Sequence, residues 1–230
     1  LPDQNYTQFF NGTSSASPVV SGVVALMLQA NPNLGWRDVQ EILIRSARQI
    51  NPSDTGWAVN AAGYHFHHDY GAGMVDAAAA VTLAKTWTNL GPQVSEASNL
   101  SGLSIVIPDN NTTGITVQLV VTNSSLRAEH VKINLDVLHT FRGDLEMYLT
   151  SPNGTTSRLV QAIAAGPIDN YIDFPFMTVR NWGETANGIW TLRIVDLAPA
   201  DVGTLTGARM TVYGSTSVAG YGLSVVDPAP

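Results

Sequence analysis

The sequence predicts two parts in series: a mostly helical N-terminal part, residues 1–88, and an all-β sandwich, residues 103–214. Three observations carry this. Apolar residues recur every third or fourth position in the first part and every second position in the second. The longest helical stretch of the first part has no polar face, so it expects protein on every side, as a buried central helix does. The second part is cut by Gly, Pro and Asn into short alternating runs, the pattern of an antiparallel sandwich.

The first predicted helix spans residues 14–30 and carries Val19, Val20, Val23, Val24, Leu26, Met27 and Leu28. Pro18 is placed in its first turn, where a missing N–H costs little. Asn31-Pro32-Asn33 ends it. A second helix is predicted over residues 36–50, with Trp36, Val39, Leu43, Ala47 and Ile50 along one face. Asp76 is a predicted N-cap for a third helix reaching to about residue 87. Residues 89–102 are polar and turn-rich and are expected to be a linker. Beyond them Ile115, Val117, Leu119 and Val121 alternate with polar neighbours, as do Val131, Ile133, Leu135 and Val137. Leu145, Met147 and Leu149, then Trp190, Leu192 and Ile194, then Leu205, Ala208, Met210 and Val212 supply further strands. The tail, residues 215–230, is expected to lead into another linker.

Composition removes several classes of function. The net charge is −7, and Lys85 and Lys132 are the only lysines, so no basic stripe exists for a nucleic acid. With no cysteine, disulfides and thiolate metal sites are excluded. The apolar run at residues 19–28 is about half a membrane-spanning length, so no membrane span is expected. The chain opens on Leu-Pro-Asp, which reads as a cut inside a longer protein.

The stretch richest in chemistry is Asn11-Gly12-Thr13-Ser14-Ser15-Ala16-Ser17-Pro18. It puts Ser14 at the start of an apolar helix, where the dipole and free N–H groups favour developing negative charge. The Ser14 N–H can contribute to an oxyanion hole, Gly12 allows close approach of a substrate, and small Ala16 keeps the turn tight. An ordinary Ser/Thr helix cap is the bland alternative for a bare Gly-Thr-Ser.

The whole stretch resembles the nucleophile motif of the subtilases. Ala30-Asn31-Pro32-Asn33-Leu34-Gly35-Trp36-Arg37-Asp38-Val39 resembles the helix start of the kexin type, and His68-Asp69-Tyr70-Gly71-Ala72-Gly73-Met74-Val75-Asp76-Ala77 its closing segment. His139-Thr140-Phe141-Arg142-Gly143-Asp144-Leu145, Leu149-Thr150-Ser151-Pro152-Asn153-Gly154-Thr155 and Gly188-Ile189-Trp190-Thr191-Leu192 resemble the P (Homo B) domain of the proprotein convertases. The resemblance implies the remnant of an α/β subtilisin-like domain followed by a jelly-roll-like sandwich. It implies a serine endopeptidase with Ser14 as catalytic nucleophile and Gly12 and Thr13 supporting the nucleophile turn and oxyanion. In subtilisins the chain order is Asp, His, Ser, so the rest of the triad is expected upstream of Leu1, and the fragment is expected to be inactive alone. The implied partners are peptide substrates and the upstream catalytic portion of the same protein. Structural calcium is implied, mostly bound by that portion, and a secreted, bacterial enzyme is expected. A non-catalytic P-domain module that stabilises or binds a protein is the alternative.

Other signals are weaker. His65-Phe66-His67-His68-Asp69 could present imidazoles to a metal, but a structural role is expected. Arg142-Gly143-Asp144 is expected to be a tight turn rather than an adhesion signal. Asp136, Asp144, Asp173, Asp196 and Asp201 could build an oxygen-rich calcium site.

Overall fold

The computed structural model describes residues 9–163 and 169–216. Most of the expected tail, and the residues before Phe9, lie outside this range. Of the described residues, 9–58 and 65–90 form one compact unit, and 59–64 with 91–216 form another.

Along the first part of the chain, helix α1 (Thr13–Ala30) and helix α2 (Trp36–Ser46) are followed by two-residue strands β1 (Ala58–Val59) and β2 (His65–Phe66), then helix α3 (Ala77–Lys85). Only Val23 and Met27 of α1 are buried; they meet Leu34, Ile42, Ala80 and Ala84 in a small core. Val19 remains 60% and Leu26 49% exposed. Pro18 falls in the second turn of α1, not the first, so it offers no N–H to the Ser14 carbonyl four residues back.

Helix α2 stops at Ser46, short of the predicted residue 50. Arg48 leaves helical geometry to exchange both backbone bonds with Met74, each 2.9 Å. Its buried face is also turned from the predicted one: Asp38, Glu41 and Ile42 are buried while Trp36 is 60% exposed. Charge explains the turn. Asp38 accepts the Gly35 N–H (2.7 Å), the Trp87 Nε1–H (2.9 Å) and the Leu90 N–H (2.7 Å), and Glu41 pairs with Arg45 at 2.7 Å. Buried carboxylates satisfied in this way do not register in a hydrophobic period. Asp76 caps α3 as predicted, accepting the Ala79 N–H at 2.9 Å.

The second unit is a sandwich of eight antiparallel strands. They are β3 (Val94–Ile107), β4 (Asn111–Val121), β5 (Arg127–Leu138), β6 (Leu145–Thr150), β7 (Thr156–Val160), β8 (Tyr171–Thr178), β9 (Gly188–Asp196) and β10 (Gly203–Ser215). One sheet runs β3-β10-β5-β8, the other β4-β9-β6-β7. Alternate residues point inward as the period of two requires, so Val131, Ile133, Leu135 and Val137 of β5 are wholly buried, as are Leu145, Met147 and Leu149 of β6. Trp190 fills the centre and gives its Nε1–H to the Ala186 carbonyl at 2.9 Å.

Two boundaries differ from those predicted. Most of the expected linker, residues 89–102, is strand: β3 begins at Val94 and pairs with β10 from Val94↔Gly214 to Ile107↔Gly203. As an edge strand it needs only one buried face, and its Ser, Asn and Gly read as linker composition. Residues 59–64, which precede α3 in the chain, belong to the sandwich. Asn60 Nδ2 donates to the Arg180 and Trp182 carbonyls (2.9 and 2.8 Å), and the Ala61 N–H donates to Glu184 at 2.9 Å. Gly183, at φ +77°, lets Tyr64 approach so closely that a Cβ there would lie 2.6 Å from its ring.

Candidate active site

The nucleophile candidate sits where the backbone geometry is least ordinary. Gly12 is the N-cap of α1 at φ 79°, ψ −168°, a region essentially confined to glycine. No atom lies within 4 Å of where its Cβ would be, so glycine is required by the dihedral angle and the space beside it stays open. Thr13 and Ser14 are the first two helical residues, and both are exposed. A glycine cap carries no side-chain acceptor, so the N–H groups of Thr13 and Ser14 meet no acceptor among the described residues. No acidic residue stands in the first turn, and the positive end of the helix dipole is left unopposed there. This arrangement can stabilise an oxyanion beside the Ser14 hydroxyl.

The sequence-predicted residues Gly12, Thr13 and Ser14 thus share one turn, but the structure brings no base to them. Ser14 Oγ has no imidazole or carboxylate partner among the described residues, and the histidines have other partners. His67 receives the Asp69 N–H at Nδ1 (3.0 Å) and holds Nε2 3.2 Å from Asp54 Oδ1, while its ring stacks on Tyr70. His65 packs edge-on against Trp57. His139 Nε2 lies 3.1 Å from Asp196 Oδ2 with both side chains fully buried, and His130 stacks on Tyr213.

The calcium site suggested by five aspartates does not form. Asp136 and Asp173 both pair with Arg209, at 2.8 and 2.6 Å, and Asp196 is held by His139. Among the described residues no three His, Asp or Glu side chains converge as a metal site would require. The Arg-Gly-Asp segment is a 3-10 turn, Arg142–Asp144, whose guanidinium lies over the rings of Tyr171 and Phe174 at 5.2 and 5.8 Å. Its arginine is already engaged by the sandwich.

Sequence comparison accounts for both parts. Residues 1–73 match the Subtilase family and residues 128–212 the proprotein convertase P-domain. A PC3-like endoprotease of Hydra vulgaris is 39% identical over 83% of this chain and 28% of its own length. Furin of Rattus norvegicus is 35% identical, and protease KEX1 of Kluyveromyces lactis 34%, each over 93% of this chain and 28% and 29% of their own lengths. The crystal structure of a serine protease of Aeromonas sobria superposes with a TM-score of 0.80 over 89% of this chain and 44% of that one, at 24% identity, a likeness of fold.

The chain is a subtilase segment joined to a convertase-type β-sandwich. Its parts match, in this order, the Subtilase family and the proprotein convertase P-domain, and the relatives it resembles are proteases of the furin, kexin and PC3-like kind. It spans less than three-tenths of the length of these curated relatives. Those relatives come from an animal, a rodent and a yeast, so they lend no support to the bacterial origin expected from the sequence. By length and composition alone α1 also qualifies as a membrane span, with an 18-residue window of mean hydropathy 1.2. That corrects the count based on residues 19–28, because flanking Ala, Gly and Ser lengthen the stretch with little polarity. The helix lies inside the stretch that matches the Subtilase family.

Proposed function

We propose that the protein carrying this chain is a serine endopeptidase of the secretory pathway, and that Ser14 is its nucleophile. The observation that carries this reading is Ser14 at the uncapped N-terminus of α1, two residues after a glycine N-cap whose positive φ suits only a residue without a side chain. The Ser14 hydroxyl attacks a peptide carbonyl, and the N–H groups at the head of α1 help hold the oxyanion as the acyl-enzyme forms. No histidine of this chain is available to Ser14, so the general base and its aspartate are supplied from outside residues 1–230. The family's calcium is assigned to that portion, since no three acidic or histidine side chains converge among the described residues. Peptide substrates bind across both portions, and residues 1–230 alone have no turnover.

The test uses the full-length protein. Ser14→Ala should abolish peptide hydrolysis and labelling by a fluorophosphonate while leaving secretion and thermal stability unchanged. Loss of one triad member typically leaves only ~10³–10⁴-fold catalysis over water. Wild-type turnover in Ser14→Ala would refute the assignment. A full-length protein that takes no label in wild-type form would leave only the non-catalytic P-domain role.

A further inference from the structure

The three described helices begin in two different ways. In α2 and α3 a carboxylate secures the first turn: Asp38 accepts the Gly35 N–H, and Asp76 accepts the Ala79 N–H. Helix α1 brings no carboxylate, and its N-cap has no side chain. A conventional Ser, Thr or Asp cap would place an oxygen on the amides of the first turn, where an oxyanion has to sit. Yet an uncapped turn frays, and fraying would let the nucleophile wander.

The first turn of α1 is instead held through the Gly12 carbonyl. The Gly12 carbonyl accepts three donors: the Ser15 N–H at 3.1 Å, the Ala16 N–H at 3.3 Å and the Ser15 hydroxyl at 2.8 Å. The hydroxyl bond is the shortest of the three and the only one made by a side chain. It differs from the bond of Ser21 to the Ser17 carbonyl, 3.2 Å, which lies a turn deeper in the helix and fixes nothing at its mouth. Fastening the Gly12 carbonyl orients the Gly12–Thr13 peptide and, through it, the N–H groups of Thr13 and Ser14. Those two N–H groups meet no acceptor among the described residues.

We propose that Ser15 is a positioning residue for the nucleophile turn: its hydroxyl replaces the side-chain cap that α1 must do without, steadying Ser14 while leaving the oxyanion-binding amides open. This rests on the reading of Ser14 as nucleophile. Ser15 does not touch the reacting atoms, so it acts on the transition state and leaves substrate binding alone.

The experiment is done in the full-length protein with a peptide substrate, measuring kcat and KM separately, together with the rate of Ser14 phosphonylation by a fluorophosphonate. Ser15→Ala should lower kcat and the phosphonylation rate about three- to tenfold, the range of one neutral hydrogen bond, with KM changed less than about twofold. Ser15→Thr keeps a hydroxyl and should restore both rates. Equal turnover in Ser15→Ala and wild type would overturn the proposal. Equal losses in the Ala and Thr variants would overturn it too, because they would point to size rather than to the hydroxyl. Melting temperatures of both variants separate an unfolded protein from a mispositioned one, and an unfolded Ser15→Ala leaves the Thr variant to decide. The parallel Ser14→Ala control keeps the two readings apart: its inactivity upholds the nucleophile whatever Ser15 does.

Discussion

Glu96 lies on β3 of one sheet and binds the end of β4 in the other. Its carboxylate accepts the Thr122 N–H (2.7 Å), the Thr122 hydroxyl (2.8 Å) and the Asn123 N–H (2.8 Å). Burial alone would raise its pKa, but these three donors outweigh burial and hold it below the ordinary 4.5. A carboxyl with a depressed folded pKa adds stability above its unfolded pKa and loses it as pH falls through the folded value. Glu96→Gln should therefore melt a few degrees below wild type at pH 7, with the gap closing below about pH 4.5. A gap that stays constant from pH 3 to 7 would show that the charge does not matter. Asp144 behaves in the opposite sense. Burial raises its pKa, and neighbouring Asp196 adds to the effect. Its folded form prefers the proton, so its contribution is present at low pH and fades as pH rises through the window above 3.8. Asp144→Asn should raise the melting temperature at pH 7 and leave it unchanged near pH 3. At this scale the helix start beside Ser14 was legible because a whole motif surrounds it. The contacts of Glu96 were not, since they depend on Thr122 and Asn123, whose position beside it only the fold supplies.

Among the elements, α1 shows a sequence property carried through into structure. A helix apolar on every side expects cover on every side. Here two of its residues are buried, and Ala16, Val19, Val20, Leu43, Ile44 and Met74 line an open apolar groove of about 500 Å³. Lysine at an exposed apolar position of the isolated chain should change stability by no more than about 0.5 kcal/mol. In the full-length protein the same position is expected to be covered by the rest of the subtilase domain, where an unpaired charge is severe. Leu26→Lys should thus be nearly neutral in residues 1–230 and should abolish secretion of the full-length enzyme. Equal effects in both would mean that α1 is exposed in both. The other elements show where period alone runs out. The end of α2 is set by a backbone pairing between Arg48 and Met74, 26 residues apart, which no local pattern records. Strand β3 has a half-exposed, Ser-rich sequence, and its extended form depends on β10 more than 100 residues later. The central strands β5, β6 and β9 were legible because both ends of their alternation are strongly marked, inward by Val, Ile and Leu, outward by polar residues.

At the scale of the molecule, the sandwich includes six residues that lie outside its own stretch of chain. Glu184 is 2% exposed and collects the Ser151 hydroxyl (2.7 Å), the Asn181 amide (3.1 Å), the Thr155 hydroxyl and the Ala61 N–H (2.9 Å). Asn60 completes the arrangement from the other side: its Oδ1 accepts the Ala62 and Tyr64 N–H groups, and its Nδ2 spans two carbonyls beside buried Trp182. Removing residues 59–64 takes one donor from a buried carboxylate and one from each of the Arg180 and Trp182 carbonyls. Each hydrogen bond lost in this way costs about 0.5–1.5 kcal/mol, and more where the acceptor is charged. The hydrophobic core of the sandwich is untouched by the cut, so residues 91–216 should still fold. They should melt several degrees below the sandwich transition of the intact chain. Asn60→Ala in the intact chain should reproduce part of the loss, about 1–3 kcal/mol in urea midpoint terms with an unchanged m-value. If residues 91–216 and the Asn60→Ala chain both unfold at the wild-type midpoint, the 59–64 loop merely rests on the sandwich. If the truncated chain fails to fold at all, the loop is part of its folding unit, and the boundary of the P domain has to be redrawn to begin before α3.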